Sequence, residues 1–197
     1  AGNAEVFTFN FNYSDADVLQ ATAELFNNVC DVIPDDVTVL FENLWWPGLR
    51  LIDFNLVERF FASLNKTNVG IMLDTGHLMN TNRQLTSEAE GIGYVCRTVQ
   101  ALGSLKRLIK GVHLSCSLSG SYQQSFEKIV PLQVDYEALL THIGKIDRHQ
   151  PFTVPEAEAI LEAVQPQYLV HELFYDNLTD LGGKLRQQQK ACGLRSR

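Results

Sequence analysis

The sequence predicts an α/β fold of parallel strand–helix units, on three observations. Short runs rich in β-branched and aromatic residues alternate with longer segments of helical period. No low-complexity or Pro/Gly-rich linker interrupts the alternation, so residues 1–197 read as a single domain. Several of the short runs end alike, in Glu, Asp or His. With 197 residues, 45% hydrophobic and 20% charged, the chain can bury one sizeable core.

The elements follow in order. Val6 to Phe11 reads as a strand, and the segment from Asp15 to Cys30 as a helix capped at Ser14/Asp15. Its predicted apolar stripe is Val18, Leu19, Leu25, Phe26 and Val29, with Thr22 as the polar member. "VTVLFEN" (37–43) is the next strand and "LIDFNLVERFFASL" (51–64) an amphipathic helix. "NVGIMLD" (68–74) is followed by a helix over 87–102, and "RLIKGVHLS" (107–115) by one over 135–146. A helix over 155–164, the strand "QYLVHELF" (167–174) and a last helix from about Asn177 to Cys192 complete the chain.

Charge and cysteine content exclude several classes. A net charge of −7 argues against binding nucleic acid by its phosphates, which needs clustered Lys and Arg. No apolar stretch approaches the ~20 residues of a membrane span. Cys30, Cys96, Cys116 and Cys192 are widely spaced and read as reduced thiols, which predicts a cytoplasmic protein.

Alternate residues of a strand share a face. Thr38, Leu40 and Glu42 therefore form one set; Gly70, Met72 and Asp74 a second; Ile109, Gly111 and His113 a third; Tyr168, Val170 and Glu172 a fourth. In a barrel of parallel strands these faces converge on the axis and their ends lie at the mouth. Two Glu, an Asp and a His gathered there would repel unless a cation sat among them, which makes Glu42, Asp74, His113 and Glu172 candidate ligands of a divalent Mn, Co, Fe, Zn or Mg ion. Read singly, Glu42 is equally a strand-end residue and His113 a core histidine; the coordination of four matches favours the metal. Trp45 and Trp46 read either as wall of a substrate pocket or as cover for the barrel rim. His171, out of phase with Glu172, is predicted to face the helices, and His142 to lie on a helix surface.

"LFEN", "LDTGH", "GVHL" and "LVHEL", in that order, resemble the xylose isomerase-like TIM barrels: sugar isomerases, epimerases and apurinic-site endonucleases of the endonuclease IV type. The resemblance covers almost the whole chain. It implies a (β/α)8 barrel of which this chain holds strands four to eight, with roughly ninety residues expected before it, or a homo-oligomer that completes the barrel. It implies one divalent metal on Glu42, Asp74, His113 and Glu172, and proton transfer by Glu42 and Glu172 through an enediolate. His77, with Asn43 and Trp45, is expected at the substrate, a small sugar or sugar phosphate. Ser115, Ser117 and Ser119 offer hydroxyls after the third of these motifs.

Asp147-Arg148-His149 resembles the motif by which the endonucleases complete a further zinc site, so His77, Asp147 and His149 are candidates for a second metal, Asp147 and His149 sharing one face of an extended loop. Read alone, Asp147 is a turn or capping residue and His149 an exposed one. Asn12 stands nearest the place where the endonucleases carry a histidine. The activity implied is a metal-dependent isomerase or epimerase; the alternatives are a zinc phosphodiesterase of the endonuclease IV kind and a non-catalytic metal-binding member.

Overall fold

The computed structural model describes residues 13–125 and 135–194. Four parallel strands lie in chain order: β1 (Val39–Glu42), β2 (Val69–Asp74), β3 (Ile109–Leu114) and β4 (Tyr168–His171). The expected strand at Val6 to Phe11, and Asn12, fall outside the described residues. The helices are α1 (Asp15–Val29), α2 (Phe54–Ala62), α3 (Thr75–Asn80), α4 (Glu88–Ala101), α5 (Gly120–Ser125), α6 (Tyr136–Ile146), α7 (Glu158–Val164) and α8 (Leu178–Ala191).

Local chemistry sets the helix starts. Ser14 and Asp17 form a reciprocal capping box on α1, and Ser87 and Glu90 another on α4. Asp53, Asp135 and Asn177 cap α2, α6 and α8 by accepting from backbone N–H groups. Helices α3 and α5 were not expected from the sequence. Asp74 ends β2 and caps α3 at once, accepting from the His77 N–H at 2.7 Å, so the helix begins with no loop between.

The core lies between sheet and helices. Ile71 and Leu73 of β2, Val112 and Leu114 of β3, Val95 and Val99 of α4 and Ile160 of α7 are all buried in one cluster. Beside it Phe41 of β1 meets Phe26 and Phe60 edge-on, at 5.2 and 5.0 Å. The buried stripe of α1 is Leu19, Ala23 and Phe26, whereas the expected members Leu25 and Val29 are exposed. The stripe is rotated because α1 packs on α2, and positions four and three apart meet that neighbour.

Strand register departs from strict alternation at one point. Ile71 pairs with Ile109 but Met72 with Gly111, so Lys110 is an extra residue in β3. The bulge turns Ile109 into the buried cluster with Val112, instead of onto the face shared by Gly111 and His113. Gly111 makes room for its neighbour: a Cβ would stand 2.6 Å from Met72 Sδ, so the Met72 side chain would have to shift.

Candidate metal centre

Parallel strands bring their C-terminal ends to one edge. Register sets Asp74 beside His113 and His113 beside Val170; Glu42 ends β1 and Glu172 directly follows β4. One ligand atom from each of Glu42, Asp74, His113 and Glu172 lies within 4.8 Å of every other. His113 turns Nδ1 to all three carboxylates: Glu172 Oε2 at 3.0 Å, Glu42 Oε1 at 3.2 Å and Asp74 Oδ2 at 3.9 Å.

The donors fit a divalent cation. Asp74 is fully buried, and Asp74 Oδ2 and Glu172 Oε2 are buried without a hydrogen bond, the latter lying within ion-pair distance of His113 but without hydrogen-bond geometry. Buried carboxylate oxygens left this way are costly, and a mixed carboxylate and imidazole set that a cation could neutralise removes the cost. Charge is correspondingly displaced. Burial, with Asp147 and Glu172 nearby, pushes the Asp74 carboxyl up to about 7, against the opposing pull of His77. The Glu172 and Glu42 carboxylates raise His113 to about 10, and His113 in turn holds Glu172 below the usual carboxylate range.

A second group adjoins the first. His77 donates from Nδ1 to the Asn43 carbonyl (2.8 Å) and from Nε2 to Asp147 Oδ2 (3.1 Å). His149 donates from Nε2 to the same Asp147 oxygen (2.7 Å) and from Nδ1 to the Glu172 carbonyl (3.2 Å). Both partners of each ring are acceptors, an arrangement that favours the imidazolium form of both. Burial alone would lower His77, but Asp147 and Asp74 raise it to about 9; His149 is raised by Asp147 against the same burial. Asp147, although buried, falls to about 2 between them.

A family model described as xylose isomerase-like TIM barrel matches residues 4–191. The chain belongs to that family. No curated protein and no solved structure matches the chain. The xylose isomerase-like TIM barrels include isomerases, epimerases and endonuclease IV, and commonly bind metals. The parallel four-stranded sheet with its flanking helices is part of that barrel.

Within this xylose isomerase-like frame the remaining candidates take definite places. Asn43, expected at the substrate, is fully buried: its amide accepts from Asp74 N (2.8 Å) and donates to Asp74 O (3.0 Å), tying two strand ends together. Trp45 is also buried, its ring 4.8 Å from that of His77, and Trp46 packs on Trp45 at 4.5 Å. Ser115, Ser117 and Ser119 are buried too. Ser119 donates to Asn80 Oδ1 and Ser117 to the Ile146 carbonyl, so neither hydroxyl is offered to a ligand.

The loop is extended at Asp147 but not at His149. Asp147 is the C-cap of α6, and His149 has φ +43°, a left-handed turn that folds its ring back onto Asp147. His149 is buried, not exposed, and stacks on Phe174 at 4.3 Å. His171 faces the helices as expected, accepting from Gln188 of α8 at 2.9 Å. His142 is half-buried against the Tyr122 hydroxyl, 2.8 Å away. Sequence reading overlooked Gly76, where a Cβ would stand 2.7 Å from Ser115 Oγ and 3.3 Å from both Asp74 Oδ1 and Asp147 Oδ1. The glycine between Asp74 and His77 was the available signal.

Proposed function

We propose that this protein is a divalent-metal-dependent isomerase or epimerase of a small sugar or sugar phosphate. The observation that carries the reading is the division of exposure within the carboxylate group. The Glu42 and Glu172 side chains are 35% and 36% exposed, while Asp74 is sealed. Two carboxylates thus face the open side of the site, where one can take a proton from carbon and the other return it. Asp74 and His113 would hold the metal, with Asn43 fixing Asp74 from behind.

A divalent ion, when bound, polarises substrate oxygens and so acidifies the neighbouring C–H. The His77 imidazolium lies 3.4 Å from Glu42 and presents positive charge to a developing enediolate oxygen. Trp45 backs that ring. We place the chemistry in the cytoplasm, where Cys30, Cys96, Cys116 and Cys192 remain unpaired thiols. No described helix is long and apolar enough to cross a membrane.

A second reading, a zinc phosphodiesterase, is favoured by one observation: Asp147 gathers His77 and His149 on a single oxygen. Deprotonated, these residues would offer a further ion two imidazoles and a carboxylate. The test is solvent exchange. Protein loaded with Mn, Co or Mg is incubated with a panel of ketoses and aldoses in deuterated water, and carbon-bound deuterium is followed by NMR. Incorporation that falls about 10²–10⁴-fold in Glu42→Gln and Glu172→Gln is the expected result. No incorporation with any sugar, together with two or three zinc ions per chain, favours phosphodiester cleavage.

A further inference from the structure

We propose that the cavity between α5, the end of α6 and the loop at 147–150 is a binding pocket for a phosphate-type dianion. The cavity has a volume of about 420 Å³ and is lined by Ser121, Tyr122, Lys145, Arg148, Gln150 and Phe174, among others. None of its described lining residues is acidic, in a chain whose net charge is −7. Two cations placed together without a carboxylate among the described lining residues, in so acidic a protein, call for an anion from outside.

Their donors are free to meet one. Among the described residues Arg148 makes a single side-chain bond, from Nη1 to the Leu118 carbonyl at 3.3 Å, which leaves most of its guanidinium N–H groups without an acceptor there. Lys145 sits 5.5 Å above the Tyr122 ring and has no ion pair among the described residues. Ser121 is exposed beside them. A planar fork, a point charge and a hydroxyl suit the several acceptor oxygens of a phosphomonoester.

The neighbouring cavity provides the contrast. It is larger, about 620 Å³, and also reaches Arg148, but Glu88 and Asp180 line it, and Asp180 is 2.9 Å from the Lys184 ammonium. Its Lys184 is already paired, whereas Lys145 of the smaller cavity has no ion pair among the described residues, so the smaller cavity is the better anion site. The pocket also adjoins the metal centre: Phe174 lines it and stacks on His149, and Arg148 stands between Asp147 and His149 in sequence. A phosphate held there belongs either to the substrate or to a separate small effector; the substrate arm rests on the isomerase reading, the pocket itself does not.

The test is titration of the chelator-treated protein with inorganic phosphate, followed by ³¹P NMR and calorimetry, so that no metal competes for the ligand. Wild type should bind saturably; Lys145→Gln and Arg148→Gln should each weaken binding by about tenfold, and Lys184→Gln should leave it unchanged. Absence of saturable binding, or equal affinity in wild type and both variants, overturns the pocket. Turnover then separates the sources. If Arg148→Gln raises KM for a phosphorylated ketose but not for its neutral parent, the substrate carries the phosphate. If free phosphate instead alters turnover of the neutral sugar in wild type and not in Arg148→Gln, the ligand is an effector. Either result sustains the pocket, and phosphate binding with no turnover of any sugar overturns the isomerase reading alone.

Discussion

Two groups of titratable side chains lie side by side at the strand ends and balance charge in opposite ways. The first sets the carboxylates of Glu42, Asp74 and Glu172 against the single imidazole of His113, and leaves Asp74 Oδ2 and Glu172 Oε2 buried without hydrogen bonds. The second sets one carboxylate, Asp147, against His77 and His149, and its Oδ2 accepts a hydrogen bond from each ring. The first is short of positive charge and the second is not. Protons alone complete the second group, whereas the first could take a cation among its carboxylates.

The contrast can be broken by exchanging single oxygens. Asp74→Asn should have the largest effect on metal: affinity for Mn measured by calorimetry should fall more than about 100-fold, since even outer partners of a ligand cost 10–100-fold. The fold should survive, because Asn can still cap α3 at the His77 N–H. Above pH 7 the metal-free variant should melt no lower than wild type. Burial raises the folded-state carboxyl to about 7, so its ionisation opposes folding; the difference should close below about pH 4, where wild-type Asp74 is protonated folded and unfolded alike. Tight binding retained in Asp74→Asn would remove Asp74 from the ligand set.

Asp147→Asn should do the reverse. It leaves two buried imidazolium rings without their counter-ion, and should cost about 3 kcal/mol of stability by urea titration while changing Mn affinity only a few-fold. A large loss of metal binding with unchanged stability would merge the two groups into one. Asn43→Ala falls between: it strips the buried Asp74 N–H and C=O of their partners, for about 1–3 kcal/mol, and should loosen metal by roughly tenfold.

The smallest effect expected is on proton balance. Metal binding at pH 7 should release on the order of one proton, because Glu172 and Glu42 hold His113 protonated up to about 10 and the ring must lose Nδ1–H to ligate. Affinity should therefore rise with pH across the neutral range. Calorimetry in buffers of different ionisation enthalpy measures the release, and a pH-independent affinity would mean that His113 is not a ligand.

Much of this was legible in the chain because strand alternation and the shared direction of parallel strands are local rules with a global result. Glu42, Asp74, His113 and Glu172 each end an apolar run, and parallel pairing alone brings such ends together. Asp147 and His149 were legible as a pair, but not the turn that joins them, because a left-handed φ at a histidine carries no sequence signal. The stripe of α1 was misplaced because propensity does not say which neighbour a helix will meet.

What the sequence determined by itself was the order of elements, their caps and the residue type at each strand end, since all three depend on neighbours within a few positions. Only the tertiary structure decided which oxygens are left unpartnered, that Asn43 and the serines point inward, and that Lys145 and Arg148 line a cavity with no acid among its described lining residues. Those facts are settled by burial and by the charge of residues distant in the chain, and Coulomb and desolvation energies depend on distances that no local pattern encodes.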